Sequence, residues 1–196
     1  KIDSNRPLPE FEGLYTEEKL DGERLQIHMS RIEGTSEFEF KFFSRRATDY
    51  SSDYGTSNDT GSLAKYFKKV IGEKHLSAIK NLILDGEVLS YDMKRDVVLP
   101  LGTLKPTNIE TIHNSDTFRP LYVIFDILMI NDNLVCNKPL KIRKDLLKNL
   151  IKPLHGYIEL VDSHDGRTAE DIQHALQEAI ESNSEGIVLK DKYKKI

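Results

Sequence analysis

Between residues 17 and 24 the chain reads Glu17-Glu18-Lys19-Leu20-Asp21-Gly22-Glu23-Arg24, with one lysine two residues before an Asp-Gly pair and five before an arginine. A lysine attacks an electrophile only as the neutral amine, a minor form near neutral pH because the ordinary lysine pKa is about 10.4. Cations held close make the ammonium costly, and Arg24 is the nearest in sequence. An Asp-Gly pair suits a tight turn because glycine accepts positive φ without steric cost, so Lys19 is expected at a strand end. The alternative for Lys19 is an exposed lysine in a surface ion pair.

Other residues of chemical use lie far along the chain. Glu87 and Glu185 are carboxylates at expected strand ends, hard oxygen ligands of the kind that Mg²⁺ on a triphosphate takes, although singly such residues are usually solvated charges. Phe125 lies in a strongly apolar strand, where its ring can offer a flat face to a purine or simply fill the core. Lys190 closes an alternating stretch with Ile187 and Leu189, where it can meet a phosphate. There is no Gly-x-Gly-x-x-Gly and no P-loop, so a nucleotide would be held by neither of those solutions.

Positioning these groups requires strands of both kinds. Residues 1–16, with Pro7, Pro9 and Gly13, read as an extended lead-in. Leu25, Ile27 and Met29 alternate, as do Phe38, Phe40 and Phe42, so 17–44 reads as a β-hairpin with its first strand at 25–29. The polar stretch 49–60 reads as a loop. A helix is expected over 62–70, with Lys65, Lys68 and Lys69 on a solvated face. Residues 82–91 read as two strand halves around Asp85-Gly86, and 99–117 as irregular. Residues 122–129 are apolar on both faces and predict a central strand. A helix over 142–151 ends before Pro153, and a short strand follows at 157–161. Thr168 caps a helix running to about 182, with Ile172, Leu176, Ala179 and Ile180 inward and Asp171 completing a capping box. The last strand is expected at 186–190. Strands and helices mixed without regular βαβ alternation indicate an α+β fold with a largely antiparallel sheet.

The chain has 196 residues, 38% hydrophobic and 31% charged, enough for one domain with a core and unlike a disordered composition. The longest apolar run, Leu121 to Ile130, is broken by Asp126 and falls short of the roughly 20 residues of a membrane span. A single cysteine, Cys136, excludes an internal disulfide and a Cys-rich zinc site, which fits a reducing compartment. A formal net charge of -4 is not that of a domain gripping a polyanion unaided.

Lys19-x-Asp21-Gly22-x-Arg24 resembles motif I of the covalent nucleotidyltransferases, the superfamily of DNA ligases, RNA ligases and messenger-RNA capping enzymes. Leu84-Asp85-Gly86-Glu87 resembles motif III, Val123-Ile124-Phe125-Asp126 motif IIIa, and Glu185-Gly186-Ile187-Val188-Leu189-Lys190 motif IV, in the family order and over most of the chain. Lys19-Leu20-Asp21-Gly22-Glu23-Arg24-Leu25-Gln26-Ile27-His28, Phe42-Phe43-Ser44-Arg45 and Phe125-Asp126-Ile127-Leu128-Met129-Ile130-Asn131 are most similar to the eukaryotic DNA ligase IV family of non-homologous end joining. Divergence from the animal enzymes in loops such as 31–37 points to a fungal version.

This resemblance implies a covalent nucleotidyltransferase domain of the ATP-grasp-like ligase adenylation type, with antiparallel sheets flanked by helices. Lys19 would attack the α-phosphorus of ATP to give lysyl-AMP, for transfer to a DNA 5′-phosphate. Glu17 matches the position whose neighbourhood recognises adenine, with Glu18 and Leu20 flanking the nucleophile. Arg24 would hold ribose or phosphate, Phe125 the base and Lys190 the α-phosphate, while Glu87 and Glu185 would carry Mg²⁺. Arg45 would lie near the nucleotide or nick. Lys195 matches the first lysine of motif V only if an intervening loop is missing before it. Residues 1–196 would form one adenylation domain of a longer chain, without the N-terminal DNA-binding domain, OB-fold and BRCT repeats. Nicked or broken double-stranded DNA would then be bound mainly by those other domains, and the end-joining scaffold protein outside this fragment. No membrane contact is expected, and the protein would be a nuclear monomer. A GTP-using capping enzyme or RNA ligase, or an idle nucleotide-binding module, shares Lys-x-Asp-Gly and stays open.

Overall fold

The computed structural model describes residues 13–100, 117–182 and 184–196. Most of the expected lead-in and nearly all of the stretch 99–117 lie outside them. The strands are β1 (Leu14–Glu18), β2 (Glu23–Arg31), β3 (Phe38–Ser44), β4 (Asn81–Asp92), β5 (Val97–Leu99), β6 (Phe118–Ile130), β7 (Asn133–Leu134), β8 (Ile158–Leu160), β9 (Ser163–Gly166) and β10 (Ile187–Asp191). The helices are α1 (Ser51–Tyr54), α2 (Phe67–Val70), α3 (Glu73–Ala78), α4 (Leu140–Leu150) and α5 (Ala169–Glu181).

Two sheets result. A seven-stranded sheet runs β3-β2-β4-β6-β7, with β5 on β4 and β8 on β6, and a three-stranded sheet runs β10-β1-β9. Among the described strands every pairing is antiparallel except β6 with β8. This is the expected α+β architecture.

Alternation builds the main core. Leu25, Ile27 and Met29 of β2 and Phe38, Phe40 and Phe42 of β3 turn to one face, where they meet Leu63, Phe67 and Val70 and the α4 residues Leu147 and Leu150. The opposite face of the same sheet carries Leu89, Tyr91, Leu121 and Val123, with Leu20 packed against them. On α5 the expected capping box is present, Asp171 N donating to Thr168 Oγ1 at 3.1 Å and Thr168 N to Asp171 Oδ2 at 2.9 Å. Ile180, expected inward, is exposed.

Several sequence expectations change. Glu17 and Glu18 belong not to the β2–β3 hairpin but to β1 in the other sheet. That strand is hidden in the sequence because it buries Thr16 and Glu17 beside Leu14 and Tyr15, with no alternation. The 49–60 loop contains α1, and 62–70 breaks into a 3₁₀ turn at Ala64–Tyr66 and the single turn of α2. The lysines there are not simply solvated: Lys68 pairs with Glu37 at 2.9 Å, and Lys65 and Lys69 lie over the Tyr66 ring. The helix expected from 142 begins at Leu140.

The two Asp-Gly pairs are not positive-φ turns either, since neither Gly22 nor Gly86 is among the described positive-φ residues. Both are glycine for want of room. A Cβ on Gly22 would lie 2.4 Å from the Val88 carbonyl oxygen and 2.9 Å from Glu87 Cγ, and one on Gly86 2.5 Å from the Val123 carbonyl oxygen. β4 runs unbroken through Asp85-Gly86, and Gly22, in the connection that crosses from the small sheet to the large, lies against its Glu87–Leu89 segment. Gly22→Ala forces backbone from backbone, so it is expected to destabilise the fold by about 1–3 kcal/mol, read as a lower denaturant midpoint.

Candidate active site

A cavity of about 870 Å³ is walled by β1 and β10, by β2, β4 and β6, by the start of α4 and by residues 194–196. Glu17, Glu18, Lys19, Leu20, Arg24, Glu87, Phe125, Lys190 and Lys195 all line it. Groups separated by as much as 178 positions thus meet because the 19–22 connection, β4, β6 and β10 converge there.

Lys19 is anchored through its backbone, whose N–H donates to the Gly186 carbonyl at 2.9 Å. Its half-exposed Nζ contacts the Glu185 carboxylate, which is not itself in the cavity wall. Arg24 forms a two-pronged pair with the buried Asp85, Nε to Oδ1 at 3.0 Å and Nη2 to Oδ2 at 2.5 Å. The hydrogen bond to Asp85 raises the Arg24 pKa above its usual value. Lys190 Nζ lies 2.5 Å from Glu17 Oε2 and 4.8 Å from the centre of the Phe125 ring. Arg24, expected to make the Lys19 ammonium costly, is therefore occupied by a carboxylate, and so is Lys190.

Phe125 reaches the cavity through a break in strand register. Asp85 pairs with Asp126 and Gly86 with Ile124, which leaves Phe125 without an opposite residue, the arrangement of a β-bulge. Arg143 of α4 clamps the adjoining Asp126 through Nε at 2.8 Å and Nη2 at 3.0 Å. The first amides of α4 have no side-chain cap; the Leu140 and Lys141 N–H groups donate instead to the carbonyls of Lys194 and Lys192, at 3.1 and 2.8 Å. That docking sets Lys195 beside the cavity.

Glu87 is the strained acid of the site. Burial pushes its carboxyl up to about 7; Arg24 opposes the shift, while Asp85, Asp21 and Glu23 add to it. Negative charge in excess of local cations is a fit for a divalent cation, whose charge would favour the ionised carboxylate. Among the described residues no three His, Cys, Asp or Glu side chains converge as a metal cage, so Glu87 and Glu185 could supply only part of a coordination shell.

Arg45 is placed elsewhere. It lines a separate hollow with Gln26, His28, Phe43, Ser44 and Ala47, and only Arg24 belongs to both hollow and cavity. Sequence reasoning missed Asp85, Arg143, Lys144 and Ser163 as supports. One signal was present: Leu140, Arg143, Lys144, Leu147 and Leu150 are the buried positions of α4, so two cations stand in its inward stripe and require carboxylate partners. As a whole the cavity joins an amine, several further cations, an aromatic face and acidic groups, a set suited to transfer of a nucleotide's phosphoryl group to the amine.

Residues 5–195 match the family model described as ATP dependent DNA ligase domain. The chain is 39% identical to DNA ligase 4 of Candida albicans over 186 residues, covering 90% of this chain and 19% of that protein. To DNA ligase 4 of Saccharomyces cerevisiae it is 38% identical over 179 residues, covering 89% and 18%. It thus spans about a fifth of the length of these curated relatives. Among solved structures, mycobacterial DNA ligase D complexed with ATP and MES superposes with a TM-score of 0.61 at 17% identity, over 93% of this chain and 50% of that one. The ligase domain of M. tuberculosis LigD gives 0.56 at 17% identity with the same coverage. At this identity the likeness is one of fold.

The Glu87 pKa predicts a pH effect on stability. A carboxyl whose pKa rises on folding favours the folded state below its ordinary value of 4.5, and that contribution is lost as pH rises towards about 7. Glu87→Gln should therefore gain thermal stability relative to wild type across that interval, measured as the difference in Tm against pH without added divalent cation.

Proposed function

The chain belongs to the ATP-dependent DNA ligase domain family, and from that premise we propose that it is the nucleotidyltransferase domain in which Lys19 takes AMP from ATP. The observation that carries this reading is the placement of Lys19 in one cavity wall with Arg24, Phe125 and Lys190. Phe125 offers its face to the purine, Glu17 accepts from the adenine amine, and Lys190 and Arg24 meet phosphate and ribose. Glu185, in contact with Lys19 Nζ, is the carboxylate placed to take the proton that the amine must lose. The Lys19 nitrogen then bonds to the α-phosphorus as the bond from that phosphorus to the β-phosphate oxygen breaks, releasing pyrophosphate. Glu87 and Glu185 are the residues that would hold Mg²⁺, which when bound neutralises charge on the triphosphate.

The lysyl-AMP retains an activated phosphoryl group for the 5′-phosphate of a DNA nick or break. Similarity to DNA ligase 4 supports end joining in the nucleus as the setting. Arg45 would face the DNA near the nick, and Lys195 would serve as the first motif V lysine. In a protein of the relatives' length, a DNA-binding domain, an OB-fold and BRCT repeats would supply most of the DNA grip and the scaffold contact, leaving this domain a monomer.

Intact mass spectrometry before and after ATP with Mg²⁺ tests the reading. An AMP adduct is expected from ATP, absent with GTP and absent in Lys19→Arg. A guanylate adduct would replace the reading by a capping one. A bare protein, seen also when the chain is extended through the OB-fold, would overturn it in favour of an idle module.

A further inference from the structure

Glu17 stands at a junction that the proposed chemistry leaves unexplained. Its carboxylate is 2% exposed and meets two ammonium groups, Lys144 Nζ at 2.5 Å from Oε1 and Lys190 Nζ at 2.5 Å from Oε2. Ser163 Oγ donates to Oε1 at 2.8 Å. The two lysines differ in setting. Lys190 is 27% exposed and lines the cavity, whereas Lys144 is 5% exposed, lies behind Glu17 and outside the cavity wall, and has no aligned hydrogen bond for its buried Nζ. Lys190 also covers the Phe125 ring, so it holds both the carboxylate oxygen and the aromatic face that a purine would use. A base can reach them only when Lys190 swings away, and a triphosphate gives it a reason to do so.

We propose that Lys144 is a positioning residue for base selection, the permanent counter-cation that holds Glu17 as a fixed anionic acceptor when Lys190 leaves it for phosphate. This rests on the ATP reading above. With Lys144 behind it, the freed Oε2 accepts from the exocyclic amine of adenine and repels the carbonyl oxygen at the same position of guanine. Without Lys144, departure of Lys190 would leave a buried carboxylate uncompensated, which is costly. Burial alone would raise the Glu17 pKa, and Lys144 and Lys190 together outweigh it and hold the carboxyl below its usual range. Burial also pulls the Lys144 ammonium below the ordinary lysine range, with Glu17 opposing, as expected of a pair that depends on each other.

Binding of ATP, GTP and inorganic tripolyphosphate to wild type, Lys144→Met and Lys144→Arg tests the proposal, with circular dichroism to establish that each variant is folded. Lys144→Met is expected to weaken every ligand that draws Lys190 from Glu17 and to cost ATP about tenfold more than tripolyphosphate or GTP, the scale of a hydrogen bond to a charged group, while Lys144→Arg restores ATP. Its ATP binding should also weaken, on acidification, at higher pH than in wild type, because Glu17 would protonate more readily. Equal losses for all three ligands, or an unchanged ATP to GTP ratio, would overturn the proposal. Should Lys144→Met fail to fold, lysine ammonium NMR of the wild type decides: ATP should move the Lys190 signal and leave that of Lys144, and comparable movement of both would overturn it. A wild type that binds tripolyphosphate but does not prefer ATP to GTP would instead remove the ATP reading itself.

Discussion

The chain must leave one sheet and enter another between Glu18 and Glu23, and the room for that crossing decides the rest of the molecule. The connection can lie on β4 only because Gly22 has no side chain to strike the Val88 carbonyl. Its closeness brings Lys19 to the meeting of the two sheets, where β10 arrives with Lys190 and β4 with Glu87. At Gly86 the same economy lets β6 approach β4, and the register break beside it frees Phe125 from a partner. Two missing methyl groups therefore shape a cavity whose chemical groups come from elsewhere.

Charge is the second organising term. A cation taken out of water requires a carboxylate, and this site supplies Asp85 to Arg24, Asp126 to Arg143, Glu17 to Lys144 and Lys190, and Glu185 to Lys19. The pairs fall into two kinds. Arg143 with Asp126 and Lys144 with Glu17 are buried on both sides and act as frame. Lys19, Arg24 and Lys190 keep part of their surface at the cavity, where an anionic ligand can meet them.

Much of this is legible in the sequence. The alternation of β2 and β3, the capping box of α5 and the apolar length of β6 are local patterns, and they placed those elements to within a few residues. The spacing around Lys19 marked one wall of the cavity, because the close backbone packing at Gly22 is a short-range demand. Three features escaped. β1 is buried on both faces yet contains Thr and Glu, so it has no period to read. The Phe125 bulge exists only in the pairing of β6 with β4. Lys144 acquires its meaning from Glu17, 127 positions earlier, and no local rule connects them.

The docking of residues 192–196 on α4 has a mechanical consequence. Their carbonyls satisfy the first amides of the helix, while one turn further along Arg143 grips β6 and Lys144 grips β1. Tail, helix and both sheets thus close a ring of restraints, and sliding one sheet past the other would break several of them together. Rotating Lys190 out of place breaks one ion pair at Glu17 and one ring contact. The softest coordinate of the cavity is accordingly a side-chain torsion, and the walls are rigid by comparison.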